Sequence, residues 1–251
     1  MKVTLIFLHG WGQSSKVWFL QTGSLASEFE VLAIDLPGHG KAAEAPAEQW
    51  LELLARQLPE GPLILVGWSL GAMLSIQLAH KCKAQVVGLV LVAATPCFRQ
   101  RADWPHACTD DDFSGFERGV VEASARAMSR YFSLMFHGDA ISRSEYNLLV
   151  RKAVDRDSPA GQDALAKGLD LLSNLDLRKG IQQLEVPCLL IHGENDAVVP
   201  LGAGKVLEKC IPDAKLVVFP ACGHAPFLTQ AERFNQTLED WCRQRISIES
   251  Y

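Results

Sequence analysis

The chain has 251 residues, of which 48% are hydrophobic and 21% charged. This is the composition of a globular protein, and it excludes collagen-like and intrinsically disordered chains. The formal net charge of −5 gives no overall basic field, so we expect no nucleic-acid partner. The apolar run near the N-terminus, residues 3–8, is far shorter than the roughly 20 residues of a membrane helix. We therefore expect neither a signal peptide nor a membrane contact.

The cysteines suggest a compartment. They number seven, are widely scattered and include no C-x-x-C pair. A disulfide framework or a zinc site would need paired cysteines at short spacings, so the pattern favours a reducing cytoplasm and no structural metal. Most should be small buried apolar residues. Cys222 lies two residues before a candidate catalytic histidine, and its role stays open.

Short apolar runs recur along the chain and predict parallel strands that are buried on both faces. These runs are residues 3–8, 31–34, 63–68, 86–92, 186–192 and 215–219. Apolar residues at helical spacing predict helices over residues 47–58 and 70–80. The alternation of strands and helices predicts an α/β fold with a mostly parallel central sheet flanked by helices.

The alternation stops in the middle of the chain. Residues 99–179 contain no strand-like run, but residues 113–135 and 143–154 have amphipathic helical patterns. We interpret residues 99–179 as a helical lid inserted into a core formed by residues 1–98 and 180–251.

A candidate nucleophile lies in Gly67-Trp68-Ser69-Leu70-Gly71, a G-x-S-x-G pattern between a predicted strand and a predicted helix. A serine on such a sharp turn projects its hydroxyl from the edge of the sheet, and nearby glycines avoid collisions across the turn. Ser69 is therefore the candidate nucleophile. The simpler alternative is a serine that caps a helix in a glycine-rich turn.

A serine nucleophile needs a general base and an acid that orients the base. His224 follows the last predicted strand in a loop rich in Gly and Pro, and is the candidate base. Asp196 follows the preceding strand and is the candidate acid, with Glu194 as the second choice. The chain order Ser, Asp, His is the order found in α/β-hydrolases.

An oxyanion hole needs two N–H groups aimed at one point. We expect one from Leu70, the residue after the nucleophile. The other would come from Trp11, in the loop His9-Gly10-Trp11-Gly12 after the first predicted strand. That loop taken alone could also be a simple glycine turn.

Five motifs together resemble one family. They are His-Gly-Trp-Gly from His9, Asp-Leu-Pro-Gly-His-Gly from Asp35, the Ser69 motif, Gly-x-x-Asp-x-x-Val-Pro from Gly193 and Gly-His-Ala-Pro-Phe from Gly223. Their order resembles that of the α/β-hydrolases over the full length of the chain. Further residues resemble the methyl ester esterases that act on pimeloyl-acyl-carrier protein in biotin synthesis: Trp68, Cys97-Phe98, Trp104-Pro105, Gly168-Leu169, Asp176-Leu177-Arg178 and His224-Ala225-Pro226-Phe227.

The resemblance implies a serine carboxylesterase that needs no cofactor and no metal, and we expect a monomer. It implies substrate contacts at Trp11, Trp68, Leu70 and Tyr131. It also implies that lid arginines dock an acidic carrier protein; these are Arg126, Arg130 and Arg143. Arg126 and Arg130 are four residues apart and so share one helix face, which could also be an ordinary solvated surface.

Two positions depart from the family pattern. Ala72 replaces the second glycine that usually follows the Leu-Gly of the nucleophile motif, and Asn147 stands where a basic residue is expected. The first departure affects packing, and the second bears on carrier docking.

Two other functions stay open. Because lid sequence sets the substrate, the protein could be a short-chain carboxylesterase, thioesterase or C–C hydrolase that acts on a free small molecule. It could also be a ligand-binding receptor on the same fold, since fold does not determine function. Turnover of a p-nitrophenyl ester distinguishes a receptor from an enzyme.

Overall fold

The computed structural model of the protein describes residues 3–122, 131–154 and 159–248. Within these residues the strands are β1 (Thr4–Leu8), β2 (Glu30–Ile34), β3 (Leu63–Trp68), β4 (Val86–Val92), β5 (Cys188–Gly193) and β6 (Ala214–Phe219). The helices are α1 (Phe19–Leu25), α2 (Trp50–Ala55), α3 (Leu70–Lys81), α4 (Asp110–Val121), α5 (described over residues 131–135), α6 (Arg143–Ala153), α7 (Gln162–Asn174), α8 (Leu201–Cys210), α9 (Pro226–Thr229) and α10 (Ala231–Ile248).

The strands form one sheet in the order β2-β1-β3-β4-β5-β6, and every neighbouring pair is parallel. All residues of β1, β3 and β5 are buried, whereas β2 and β6 at the two edges are partly exposed. Helices cover both faces of such a sheet, which explains why the inner strands read as continuous apolar runs. The predicted α/β fold is confirmed, and each strand begins and ends within two residues of its prediction.

The predicted helices agree less closely with the structure than the predicted strands do. α3 spans Leu70–Lys81, as its apolar spacing predicts. The helix predicted over residues 47–58 is instead a 3₁₀ turn, Ala47–Gln49, followed by α2, which ends at Ala55. Pro59 explains the early end, because a proline disfavours the helical conformation in the residue before it. Helices α1, α8 and α10 were not predicted.

The described residues between β4 and β5 form α4 to α7 and contribute no strand to the sheet. α6 begins at a capping box, in which Glu145 N–H donates to Ser142 Oγ and Ser142 N–H donates to the Glu145 carboxylate. α7 packs against α4. The division into a core and a lid stays a prediction, and residues 123–130 of its long amphipathic stretch lie outside the described residues.

The parallel arrangement decides where loops can meet. The carboxyl ends of β1, β3, β5 and β6 lie at the same edge of the sheet, because parallel strands point the same way. All seven cysteines are free. No helix of the described part of the chain is long and apolar enough to cross a membrane.

Candidate active site

Ser69 occupies a strained turn between β3 and α3. Its φ is +55° and its ψ is −116°, a backbone conformation that residues other than glycine rarely adopt. Its N–H donates to Val92 O at 3.0 Å, and its carbonyl accepts from the N–H groups of Ala72 and Met73. Ser69 precedes α3, but its hydroxyl makes no capping hydrogen bond. The helix-cap alternative therefore does not explain this serine.

The glycines on each side of Ser69 permit close backbone contacts. A Cβ atom on Gly67 would lie 2.4 Å from Gly71 O, and one on Gly71 would lie 2.4 Å from Leu8 O. Both distances are far below van der Waals contact, and the atoms met are backbone atoms that cannot move away. The turn therefore depends on glycine at both positions.

Asp196 and His224 form a buried pair in the loops after β5 and β6. Asp196 Oδ2 accepts from His224 Nδ1 at 2.8 Å, and its Oδ1 accepts from the N–H groups of Val198 and Val199, each at 2.9 Å. Burial disfavours the charged carboxylate, but His224 and His192 outweigh it and hold the pKa of Asp196 below its usual range. The carboxylate is thus charged at neutral pH and accepts the proton on Nδ1 of His224.

The other ring nitrogen of His224 is available. His224 Nε2 is buried and has no hydrogen-bond partner among the described residues, so no bond joins it to Ser69 here. Trp68, next to Ser69 in the chain, donates from its indole to His224 O at 2.9 Å. This bond brings the His224 loop to the nucleophile turn. Catalytic hydrogen bonds are often long before substrate binds.

Glu194, the second-choice acid, lies elsewhere. Its side chain is exposed and accepts from Ala221 N–H at 3.1 Å. His192, which was not predicted as a site residue, lies beside Asp196: its Nε2 donates to Val199 O at 2.9 Å and is 3.4 Å from Asp196 Oδ2. Its position at the end of β5, four residues before Asp196, was the available signal.

The loop after β1 lies against the nucleophile turn. A Cβ atom on Gly10 would be 3.3 Å from Ser69 Cβ. His9 Nε2 accepts from Leu36 N–H at 2.9 Å, and its Nδ1 lies 2.8 Å from Gly10 O. Burial, together with nearby His39, lowers the pKa of His9 to about 3. Neutral His9 thus fixes the shape of this loop.

The two candidate oxyanion donors are both buried. Leu70 is the first residue of α3, and such an N–H has no partner within its own helix. Trp11 follows Gly10, and its indole N–H donates to Leu165 O of α7 at 2.8 Å. Trp11 thus lies in the loop after β1 and is also bonded to α7, in the segment between β4 and β5.

A narrow apolar cleft, with space for about one water molecule, opens beside Ser69. Its other lining residues are aromatic or aliphatic: Trp11, Phe98, Phe116, Tyr131, Leu169, Leu172 and Val198. The Tyr131 ring packs edge-on against Trp11, with centroids 5.0 Å apart. Burial raises the pKa of Tyr131, so its phenol is neutral. Trp68 is not among the lining residues, and packs instead behind Ser69 against Phe227.

The predicted carrier-docking residues are only partly described. Arg143 is exposed at the first position of α6, and Asn147 is exposed one turn further along. Arg126 and Arg130 lie outside the described residues. Their placement relative to Arg143 stays a prediction.

Comparison with known proteins identifies relatives of the whole chain. A model of the alpha/beta hydrolase family matches residues 5–237. A pimeloyl-[acyl-carrier protein] methyl ester esterase of Nitrosomonas europaea is 39% identical over 235 residues, which is 92% of each chain. One with the same name from Aromatoleum aromaticum is 36% identical over 95% of this chain and 98% of the relative.

Solved structures show the same fold. An esterase from Exiguobacterium antarcticum superimposes with a TM-score of 0.86 at 22% identity, covering 97% of this chain and 93% of that one. A bromoperoxidase from Bacillus anthracis gives 0.84 at 22% identity, covering 97% and 92%. The chain belongs to the alpha/beta hydrolase family, which confirms the resemblance that its motifs carry.

Proposed function

We propose that the protein is a serine carboxylesterase that hydrolyses the methyl ester of pimeloyl-acyl-carrier protein, a step of biotin synthesis. The buried Asp196–His224 pair beside the strained Ser69 turn carries the proposal. The relatives that bear this activity in their names cover more than nine tenths of the chain, which supports the choice of substrate.

The arrangement can perform acyl transfer in two steps. Ser69 Oγ attacks the ester carbonyl while His224 Nε2 takes its proton, and Asp196 stabilises the resulting imidazolium. The N–H groups of Leu70 and Trp11 donate to the developing oxyanion. Methanol leaves with the proton from His224. His224 then takes a proton from water, which attacks the acyl-enzyme, and returns that proton to Ser69 Oγ as the free acid is released.

The lining of the cleft suits an aliphatic acyl chain. Helices α4, α5 and α7, from the segment between β4 and β5, contribute four of the lining side chains: Phe116, Tyr131, Leu169 and Leu172. Burial of methylene groups against such surfaces stabilises a bound chain by about 0.8 kcal/mol per CH₂. We propose that Trp11, Leu70 and Tyr131 contact the substrate. Trp68 does not line the cleft, and we propose that it supports His224 through the hydrogen bond to its backbone carbonyl.

We propose that the inserted segment docks the carrier protein through Arg126, Arg130 and Arg143. Between residues 118 and 156 the sequence has seven basic and four acidic side chains, although the whole chain is acidic. Arginine forks suit the carboxylates of an acidic partner. Arg143 is exposed at the start of α6, as docking requires.

The decisive test of the reaction is genetic. The gene should restore biotin-free growth to a strain that lacks its own methyl ester esterase, and the Ser69→Ala variant should not. Failure of both would exclude the substrate. Steady turnover of p-nitrophenyl butyrate would then point to an esterase that acts on free small molecules, whereas binding without turnover would point to a receptor.

Carrier docking is tested with charge reversal. Changing the three arginines to Glu should lower kcat/KM on the carrier-bound ester and leave p-nitrophenyl acetate nearly untouched, because rim charges act on encounter and not on bond breaking. Lys209→Glu is the matched control, because Lys209 is exposed on α8, outside the segment between β4 and β5. Equal losses on both substrates, or none on either, would contradict docking.

We further propose a cytoplasmic monomer. A reducing compartment suits seven free thiols, five of which are buried. Sedimentation equilibrium tests the oligomeric state, and a mass near 55 kDa, twice that of the 27.6 kDa chain, would contradict it.

A further inference from the structure

Residues 135–140, here called the strap, join α5 to α6 and contact both loops of the Asp196–His224 pair. His224 N–H donates to Met135 O at 2.8 Å. Ala140 N–H donates to Ala221 O at 3.1 Å. Asn195, next to Asp196, donates from its side chain to Gly138 O at 3.0 Å. The strap therefore holds the backbone of the proposed general base directly.

The fit between the strap and these loops is close. A Cβ atom on Gly223 would lie 2.7 Å from Met135 O and 2.8 Å from His137 O. Gly138 has a φ of +83°, and its Cβ would lie 2.4 Å from Asn195 Cβ. Neither glycine leaves room for a side chain, so the two segments rest against each other with little freedom.

One side chain of the strap, that of Asp139, makes two further contacts with the segment around His224. Asp139 Oδ1 accepts from Gly223 N–H at 2.9 Å and from Thr229 Oγ1 at 2.8 Å. Gly223 immediately precedes His224, and Thr229 ends α9, which follows it. A single carboxylate oxygen thus fastens the chain on both sides of His224. Burial raises the pKa of Asp139, while these two hydrogen bonds oppose the rise.

We propose that Asp139 is a positioning residue for His224, and that it fixes the distance between the imidazole and Ser69. The proposal rests on the proposed function, in which His224 is the general base. Asp196 holds the ring through Nδ1, and Trp68 holds the backbone carbonyl. The amide side of His224 depends on the strap. Without Asp139, Gly223 N–H loses its acceptor and Thr229 Oγ1 keeps only its longer bond to Ala225 O, so the loop can shift. Misplacement by about 1 Å can cost about 100-fold in rate.

The test measures chemistry separately from binding. In the full chain, Asp139→Ala should lower kcat for p-nitrophenyl butyrate by about 10- to 100-fold and change KM by less than about 3-fold. The rate at which phenylmethanesulfonyl fluoride inactivates Ser69 should fall in parallel, because that reaction also needs the base. Asp139→Asn keeps an acceptor oxygen and should recover most of the loss.

Ser142→Ala is the matched control, because it removes the cap of α6 two residues beyond the strap without touching the His224 loop. An Asp139→Ala variant with kcat within about 2-fold of the wild type would overturn the proposal. So would an equal loss in Ser142→Ala, or an Asp139→Asn variant as slow as Asp139→Ala. If Asp139→Ala does not fold, Thr229→Val takes its place, with Thr229→Ser as the variant that should restore the rate.

The outcome is distinguishable from failure of the proposed function. If Ser69→Ala retains full esterase activity, the nucleophile is wrong and the proposed function fails. If Ser69→Ala is inactive but Asp139→Ala keeps wild-type kcat, the esterase stands and the role of Asp139 alone fails.

Discussion

The Ser69 turn and the His224 loop lie side by side but are built by different means. Ser69 is held mainly by its neighbours in the chain, through Gly67 and Gly71 and bonds to the first turn of α3, together with one bond from its N–H to Val92 O. The His224 loop is held by contacts from other segments: Met135, Asp196 and Trp68 bond to His224 itself, and Asp139 bonds to Gly223 and Thr229 on either side of it. The geometry of the nucleophile thus depends mainly on residues close in the sequence, with support from the adjacent strands β1 and β4, whereas the geometry of the base depends on distant segments.

The largest expected effect tests whether the two regions act as one unit. Ser69→Ala and His224→Ala should each lower kcat by up to about 10⁶, and the double variant should lose little more, because neither group functions without the other. Single-turnover and steady-state rates on p-nitrophenyl butyrate measure this. Losses that multiply in the double variant would show that the two residues act independently.

A smaller effect should come from the acid in the His224 loop. Asp196→Asn should lower kcat by about 10⁴, since an amide favours the wrong tautomer of His224. Glu194→Gln is the matched control, because Glu194 contacts Ala221 N–H but not His224. Steady-state kinetics at neutral pH compare the two. Greater damage from Glu194→Gln would transfer the acid role to that residue.

The local character of the Ser69 turn can be challenged with one methyl group. Gly71→Ala places a Cβ 2.4 Å from Leu8 O, so the free energy of unfolding should fall by about 1–3 kcal/mol or more. Gly115→Ala, on exposed α4 where a Cβ meets no atom within 4 Å, should instead gain about 0.5–1 kcal/mol. Urea denaturation measures both. Equal stabilities would show that the turn adapts to a side chain.

The smallest effect concerns charge. Beside the Ser69 turn, burial lowers the pKa of His9 to about 3 and lowers that of His39 too, whereas the pKa of Asp196 is lowered by its histidines. Unfolded histidines bind protons below about pH 6.5, whereas buried His9 does not and buried His39 binds them less readily, so stability should fall as pH decreases from 7 to 5.5.

The expected loss is about 1 kcal/mol for His9, and His39 adds to it in the same direction. Asp196 contributes nothing to it, because an acid with a lowered pKa loses its stabilisation only as pH falls below about 3.9. Urea denaturation at the two pH values gives the difference. A His9→Gln variant should show a smaller pH dependence, and an unchanged one would exclude His9 as the source.

These differences explain what the sequence could predict. The strands were predictable because a parallel sheet buried on both faces imposes continuous apolar runs, as in β3 and β4. The Ser69 turn was predictable because its glycines are close in sequence. The pairing of Asp196 with His224 followed from their positions after neighbouring strands, since parallel strands end at one edge.

The remainder depends on contacts that leave no short-range pattern. Asp139 lies 84 residues before Gly223, and no spacing rule connects them. His192 could not be assigned to the site, because the sequence does not show that its ring turns towards Asp196. α1 and α10 lie near opposite ends of the sequence and pack against each other, so their assignment required the tertiary structure.

The bond from Trp11 to Leu165 has a consequence for protein engineering. Exchanging the segment between β4 and β5 for that of a relative is an obvious way to alter substrate range, as if that segment were an independent module. The Trp11 indole binds α7, and the strap binds the His224 loop, so the segment is fastened to both sides of the reacting centre. A chimaera should therefore keep Leu165 and residues 135–140 in register, or transplant the loops after β1 and β6 together with the graft.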